Sequence, residues 1–401
     1  MNKQAQVVLP NPLDPKFQED PNAVYDPLRA THPVYHDTEK NRVLVSRAKE
    51  VGEMLNDREI PCDPRKTRPD SYNRLVFRVD ENFRPSMLRM DDPDHKRVRS
   101  AVVKVFNQPS VDAMKGRIEA IAKDFLDSLS DRPTFDLIED FARPFPVAVI
   151  AEVLGVGQGS LADFMAWSKA QAHIFNPLVT PEQRADLVWG SKGLQDYFKK
   201  ILDERRIERG TDFVSGLITA EEKGELTEWE ILSTCELLLL AGNVTTTDLL
   251  GNGLLALLQH PEQMQKLRSN PALLPAAIEE MLRYDSPVTT ASRVSTDKTV
   301  VNGCPFRAGE GFSLLLDAAN HDPDLHENPH VFDIERKNKR HYSFGGGAHF
   351  CLGAPLARAE AETAFSLLLE RFPKLALDPS RPPARKLTPS FCGLDSLWVT
   401  V

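Results

Sequence analysis

Closely spaced cysteines are missing from this sequence. Its five, Cys62, Cys235, Cys304, Cys351 and Cys392, are an odd number scattered over 401 residues with no CxxC. That pattern argues against a disulfide framework and a zinc knuckle and points to a reducing compartment. Also missing is a basic start followed by an apolar run: "MNKQAQVVLPNPLDPKFQED" is polar and rich in proline, so a cytoplasmic protein is expected. Positive charge is in deficit. With 49 Lys and Arg against 58 Asp and Glu, the net charge is -9, which counts against general nucleic-acid binding. Strand-like text is scarce and short: "RVLVS" at 42–46, "KTVVNG" at 298–303 and the closing "DSLWVTV". No repeat of fixed period runs through the rest.

What the sequence has in quantity is helical periodicity. At 41% hydrophobic residues it can bury a large core, and the proportions predict a mainly α fold with small β-sheets, read as a single domain over 1–401. Residues 93–130 read as two helices broken near "NQPS", and 145–170 and 181–206 add amphipathic stretches. By contrast, about 320–345, "NHDPDLHENPHVFDIERKNKRHYS", has almost no periodicity and several turn formers. A loop this long inside a compact domain is usually functional or disordered.

"LTEWEI" opens the most informative helix. Thr227 and Glu230 have the T-x-x-E spacing of a capping box, and the apolar text continues to His260, just before Pro261. Roughly 30 residues at about 1.5 Å each make about 45 Å, enough to cross a domain. Apolar residues on nearly every face call for burial, yet Asn243, Thr245, Thr246, Thr247, Asp248 and Asn252 interrupt the run, which argues against a membrane span. A buried Ser or Thr can bond back to the carbonyl four residues earlier and bend the helix, and Gly242 thins the same turn. Such a helix suits a bound planar group or gas molecule. Alone, the cluster reads more simply as helix packing.

"SFGGGAHFCLGAPLARAE", residues 343–360, sets Cys351 between three glycines and a helix start. Gly345, Gly346 and Gly347 let the backbone take positive φ and approach a flat ligand closely. At a helix N-terminus, backbone NH groups and the helix dipole favour thiolate. With no base and no second cysteine beside it, that thiolate makes sense as a single metal ligand, and haem iron needs one such axial ligand. The competing reading is a buried structural thiol.

At this motif the sequence resembles the cytochrome P450 haem-thiolate monooxygenases, and the resemblance covers nearly the whole chain. "FGGGAHFCLGAPLAR" fits the pattern F-G-x-G-x-H-x-C-x-G-x-x-L-A-R from Phe344 to Arg358 at every fixed position. "EEMLR" supplies Glu280 and Arg283, an E-x-x-R pair on one helix face, which the resemblance locks to a meander-loop arginine, here Arg336 of "VFDIERK". In "DDPDHKRVR", His95 and Arg99 stand one helical turn apart. The resemblance makes them partners of the haem propionates, joined by Arg293 of "TASRVS" and by His349. It also implies haem b between the long central helix and the Cys-loop helix, with Cys351 as axial thiolate and O2 as co-substrate. Phe344, Gly345, Gly353 and Ala241 then border the cofactor. The central helix departs from the pattern. The family usually reads A/G-G-x-D/E-T, whereas "AGNVT" supplies Ala241, Gly242 and Thr245 but puts Val244 where the acid belongs. Thr245 and Thr246 are the catalytic candidates, and Asp248 lies too far round the helix to replace the acid.

The implied reaction inserts one oxygen atom from O2 into a C–H bond of an apolar small molecule, with haem carrying the hard chemistry. Neither a membrane nor a nucleic acid is an expected partner. Electrons are expected from a separate acidic ferredoxin and its reductase, because no flavin domain fits in the remaining sequence. Lys337, Lys339 and Arg340 offer a docking patch or, equally, a solvated charge run. A peroxide-driven enzyme of the same fold is the closer alternative, although the Arg-Pro pair typical of such enzymes is missing from "NVTTTD". A haem-thiolate sensor is the more distant one. By register, Phe77, Phe83, Leu238, Ala241, Val288, Ala291 and Phe391 face substrate, with the segment around 165–180. Residues 61–90 carry Arg65, Lys66, Arg68, Arg74, Arg78, Arg84 and Arg89 against Asp63, Asp70, Asp80 and Glu81, a local excess of three positive charges. The simpler reading is that they pair with local acids or face solvent. The sharper reading has Arg78 or Arg84, beside Phe77 and Phe83, hold a substrate carboxylate through the planar guanidinium fork.

Overall fold

In a computed structural model the chain is mostly helix with small sheets; residues 9, 11, 13–156, 161–171, 174 and 179–401 are described. Part of the expected substrate segment around 165–180 therefore lies outside the described residues. The capping box at Thr227 forms as its spacing requires. The Thr227 hydroxyl accepts from the Glu230 N–H, and the Glu230 carboxylate accepts from the Thr227 N–H at 2.8 Å. The helix then runs over Glu228–Gln259 and packs against several others, most extensively Pro144–Leu154, Pro181–Ile207, Leu274–Tyr284 and Ala354–Arg371.

Breaks in the other helices follow local chemistry. Asp94–Val102 and Gln108–Asp127 are separated at Asn107, whose side chain caps the second by accepting from the Ser110 N–H at 3.0 Å. The stretch expected over 145–170 is two helices, Pro144–Leu154 and Leu161–Ala170. The first ends because Gly155 takes a left-handed φ of 71°, where an added Cβ would also meet the Asp212 Cβ at 2.3 Å.

The strand-like text "RVLVS" supplies Arg42–Val45 to a four-stranded sheet. It lies antiparallel to Val34–Asp37 and parallel to Gly311–Leu315, which pairs in turn with antiparallel Thr290–Val294. "KTVVNG" gives only Val300–Val301, turned back on Cys304–Pro305 through Asn302 and Gly303, both at positive φ. The C-terminal text divides between two sheets, Leu394–Ser396 in one and Trp398–Thr400 in the other. One hydrophobic cluster runs from Met87 to Val399 through the helices, and a smaller one lies beneath the four-stranded sheet.

The unperiodic stretch at 320–345 is fixed from below by ionic hydrogen bonds. Glu280 and Arg283 are 3% and 1% exposed. Arg283 donates to both Glu280 oxygens at 2.8 Å, and Arg336 Nε donates to the same carboxylate at 3.0 Å. Their remaining donors go to loop carbonyls, Asn320 and Pro329 from Arg283, Glu327 and Asn328 from Arg336, and Val331 from both. One buried carboxylate thus serves two guanidiniums. Removing it in Glu280→Ala leaves both unpaired, and chemical denaturation should then register a loss of about 3–5 kcal/mol or a failure to fold. A loss under about 1 kcal/mol would mean that the loop is held by other contacts.

Candidate active site

The cysteine loop is shaped by its glycines, though not all for the expected reason. Gly345 and Gly347 take φ of 68° and 63°, while Gly346 is extended at -171°. A Cβ on Gly347 would stand 2.2 Å from the Leu55 carbonyl oxygen, so glycine there is demanded by a passing backbone rather than by a flat ligand. The Cys351 N–H donates to the Phe344 carbonyl at 2.9 Å and closes the loop. Cys351 lies just before Gly353, the N-cap of Ala354–Arg371. Burial pushes its thiol pKa up, against the lowering effects of the Gly353 and Ala354 N–H groups, Arg99 and Arg358. The helix N-terminus alone therefore does not deliver the thiolate; a coordinated metal ion does so outright. Arg358 stacks over Phe344 at 4.6 Å and donates to Glu279 at 2.6 and 2.9 Å. Burial raises the Glu279 pKa, but Arg358 and His341 more than reverse this and hold it at about 2.

A cavity of about 570 Å³ separates this loop from the central helix. Cys351, Phe344, Gly345 and Gly353 line one side, and Ala241, Val244, Thr245 and Thr246 the other. Ala241 is exposed although it sits midway along a buried helix; what it is exposed to is the cavity. The Thr245 hydroxyl donates back to the Ala241 carbonyl at 2.7 Å, as a buried helical threonine does. The other polar residues of the run serve packing. The Thr247 hydroxyl donates to the Ala142 carbonyl at 3.0 Å and lies 3.3 Å from the Asn243 side chain, Asn252 donates to the Asp285 and Cys392 carbonyls, and Asp248 pairs with Lys386. Sequence reasoning missed Glu360, which lines the cavity from the Cys-loop helix and shares a hydrogen bond with Thr246. Burial raises its pKa well above the usual carboxylate range, and its second oxygen has no partner among the described residues. Its spacing was a signal: Gly353, Leu356, Ala357 and Glu360 all line the cavity, a helical stripe that is apolar but for one acid.

The opposite rim is cationic. Arg99, Arg293 and His349 line the cavity, but His95 does not. Its ring lies against His349 at 4.1 Å between centroids, with Nδ1 3.4 Å from Asp92 and a buried Nε2 that has no partner among the described residues. His349 Nε2 is also 3.2 Å from the Cys62 sulfur. Burial lowers the His349 pKa to about 3, with His95 and Arg293 adding to the effect. Arg89, one of seven basic residues counted in its loop, is the second residue that sequence reasoning missed. It lines the same cavity and lies over the Phe77 ring at 3.9 Å. Burial lowers its pKa to about 10; such surface as it keeps accessible fits an internal cavity. None of Arg89, Arg99 and Arg293 forms a salt bridge with a described residue. Half-buried or buried cations with no salt bridge among the described residues, an imidazole nitrogen with no partner there and a cysteine facing the cavity fit a dianionic metallocofactor such as haem.

The cytochrome P450 family model matches residues 35–394. The chain belongs to the cytochrome P450 family. It is 40% identical over 343 residues to cytochrome P450 107B1 of Saccharopolyspora erythraea, covering 83% of this chain and 82% of that protein. Among solved structures it resembles the myxobacterial CYP267B1 in complex with myristic acid, with a TM-score of 0.90 at 34% identity, covering 98% of this chain and 99% of that one. It also resembles P450BioI in complex with hexadec-9Z-enoic acid ligated acyl carrier protein, with a TM-score of 0.87 at 33% identity, covering 96% and 99%. Haem with an axial cysteine thiolate, and O2 as co-substrate, are thus the chemistry of this P450. Among the described residues no helix is long and apolar enough to cross a membrane.

The expected substrate positions Phe77, Arg78, Phe83, Arg84, Leu238, Val288, Ala291 and Phe391 all line the P450 cavity. The two arginines differ in setting. Arg84 is exposed and 5.9 Å from the Trp229 ring, while Arg78 donates to the Ile174 carbonyl at 2.9 Å. Elsewhere in the loop Arg65 pairs with Asp63, Lys66 with Asp91 and Arg68 with Glu310.

Cys351→Ser is expected to abolish the thiolate-specific spectrum of the ferrous carbon monoxide complex; its retention would remove Cys351 from the metal. The Glu279 pair makes a second expectation. A carboxyl held at about 2 against an ordinary 4.5 stabilises the fold fully above the ordinary value and ceases to do so as pH falls through the lower one. The difference in Tm between the unmodified protein and Glu279→Gln should therefore be largest near neutrality and shrink progressively below about pH 4.5.

Proposed function

We propose that this P450 is a monooxygenase that inserts one oxygen atom from O2 into a C–H bond of an apolar, carboxylate-bearing small molecule, working in the cytoplasm. The observation that carries this reading is the single cavity that brings Cys351, Thr245 and an apolar wall together at a cationic rim. Cys351 Sγ would hold the iron, and Arg99, Arg293 and His349, with His95 behind, would take the propionates. When bound, the haem supplies the activation of O2.

The chain supplies position and protons. Leu238, Val288, Ala291 and Phe391 line an apolar wall that suits a hydrocarbon body. Thr245 keeps its hydroxyl anchored on the Ala241 carbonyl, so its oxygen holds a fixed place at the cavity wall. With Val244 in the usual acid position, Glu360 is the nearest alternative proton source. It is buried and hydrogen-bonded to Thr246, and burial raises its pKa well above the usual carboxylate range, which favours its protonated form and suits it to deliver protons by way of the threonine hydroxyls. A fatty-acid substrate class is supported by the two solved relatives that carry myristic acid and a hexadecenoyl carrier protein. Exposed Lys337, Lys339 and Arg340 lie on the approach to the cysteine loop and suit docking of an acidic ferredoxin, itself served by a reductase.

Turnover with reduced ferredoxin and isotopically labelled O2 should place one labelled atom in the product, whereas turnover with peroxide alone would favour the peroxygenase reading. Under the ferredoxin condition, Glu360→Gln should lower the fraction of reducing equivalents that reach product at least about threefold, with peroxide rising correspondingly, because general acid catalysis typically contributes more than this. Unchanged coupling would assign proton supply elsewhere.

A further inference from the structure

Arg89 carries a charge for which neither the protein nor the haem has a counter-ion. Of the arginines that line the cavity, Arg42 pairs with Asp37, Arg78 donates to the Ile174 carbonyl and Arg84 is exposed, which leaves the guanidiniums of Arg89, Arg99 and Arg293, and haem b brings two propionates. One positive charge remains. The acids nearby are committed elsewhere: Asp91 accepts from the Cys62 N–H at 2.8 Å and pairs with Lys66 at 2.9 Å, and Asp92 lies beside His95. Cys62 does not serve either, since burial keeps its thiol protonated, with a pKa raised to about 12. Arg89 donates no hydrogen bond to a described residue, and its only directed contact there is the Phe77 ring at 3.9 Å. A cation over an aromatic face is held in place while its N–H edges stay free, and a desolvated guanidinium with free edges is a strong site for a carboxylate.

We propose that Arg89, seated on Phe77, is the anchor for a free carboxylate on the substrate, whose hydrocarbon body then lies along the apolar wall of the cavity. This rests on the monooxygenase reading and deepens it by naming the group that orients the substrate. It also moves the role away from Arg84, which is exposed, and Arg78, which already donates to Ile174. A thioester-linked acyl chain offers no free carboxylate and would not use this anchor.

The test uses the haem-loaded protein and reads binding, not turnover, by displacement of water from ferric haem and by calorimetry. The ligands are myristic acid, an arylalkanoic acid and the methyl ester of each. At least one acid should bind about tenfold or more tightly than its ester in the unmodified protein. In Arg89→Met that ratio should fall below about twofold, with haem content and reduction potential unchanged, and Arg89→Lys should restore part of it. Equal binding of every acid and its ester by the unmodified protein overturns the proposal without needing a variant. So does an Arg89→Met protein that keeps the acid preference but loses haem or shifts its potential, which would make Arg89 a third propionate donor. Failure of the underlying reading has its own mark, the absence of the thiolate carbon monoxide spectrum in the unmodified protein.

Discussion

The structure depends on a gap that helix packing does not close. Protein interiors are packed as densely as organic crystals, yet Glu228–Gln259 and Ala354–Arg371 leave about 570 Å³ between them. At about 24 cal/mol per Å³, a dry void of that size would cost on the order of 14 kcal/mol, as much as the whole stability of an ordinary domain. Its cationic rim adds the desolvation of three guanidiniums. Only a bound group that is large, flat and anionic on one edge offsets both costs, and haem has that shape and charge. Cofactor binding then adds to the stability of the fold, since anything that binds only the folded state stabilises it.

Holding the gap open needs rigid abutments on both sides. The central helix is packed on several sides by other helices. The cysteine loop has a polar lattice instead. The Tyr342 N–H donates to Asn320 at 2.7 Å, Asn320 donates to Ser343 at 2.9 Å, and Ser343 donates to the Leu282 carbonyl at 2.6 Å. The same Asn320 offers its carbonyl to Arg283, so the Glu280 ion cluster and the cysteine loop are one hydrogen-bonded body. Buried networks of this kind are rigid when fully satisfied, and that rigidity fixes where Cys351 stands relative to Thr245.

What could be read from the sequence follows the range of the forces involved. The capping box at Thr227, the back-bonded Thr245 and the break at Asn107 are local, set by residues three or four apart, and each appears where its spacing puts it. The cysteine motif was legible because a family pattern carries its tertiary meaning with it. Long-range partner choice was not legible. Nothing in residues 61–90 marks Arg89 from its neighbours, since the Phe77 ring, the committed Asp91 and the cavity meet only on folding. The same holds for Gly347, whose requirement comes from Leu55. It holds too for the Cys351 thiol, where the expected pull of the helix N-terminus meets a larger opposing effect of burial.

Val244 and Glu360 make physical sense as a pair. An acid at the valine position would face the cavity wall, where ionisation in an apolar surrounding is costly unless a cation or water stands beside it. A valine there leaves the wall dry. The carboxyl that remains is on the opposite helix, buried and hydrogen-bonded to Thr246, and burial shifts it toward the uncharged form. The cavity is therefore divided: guanidiniums gather at one end, while the threonine end has a single buried acid whose pKa burial raises.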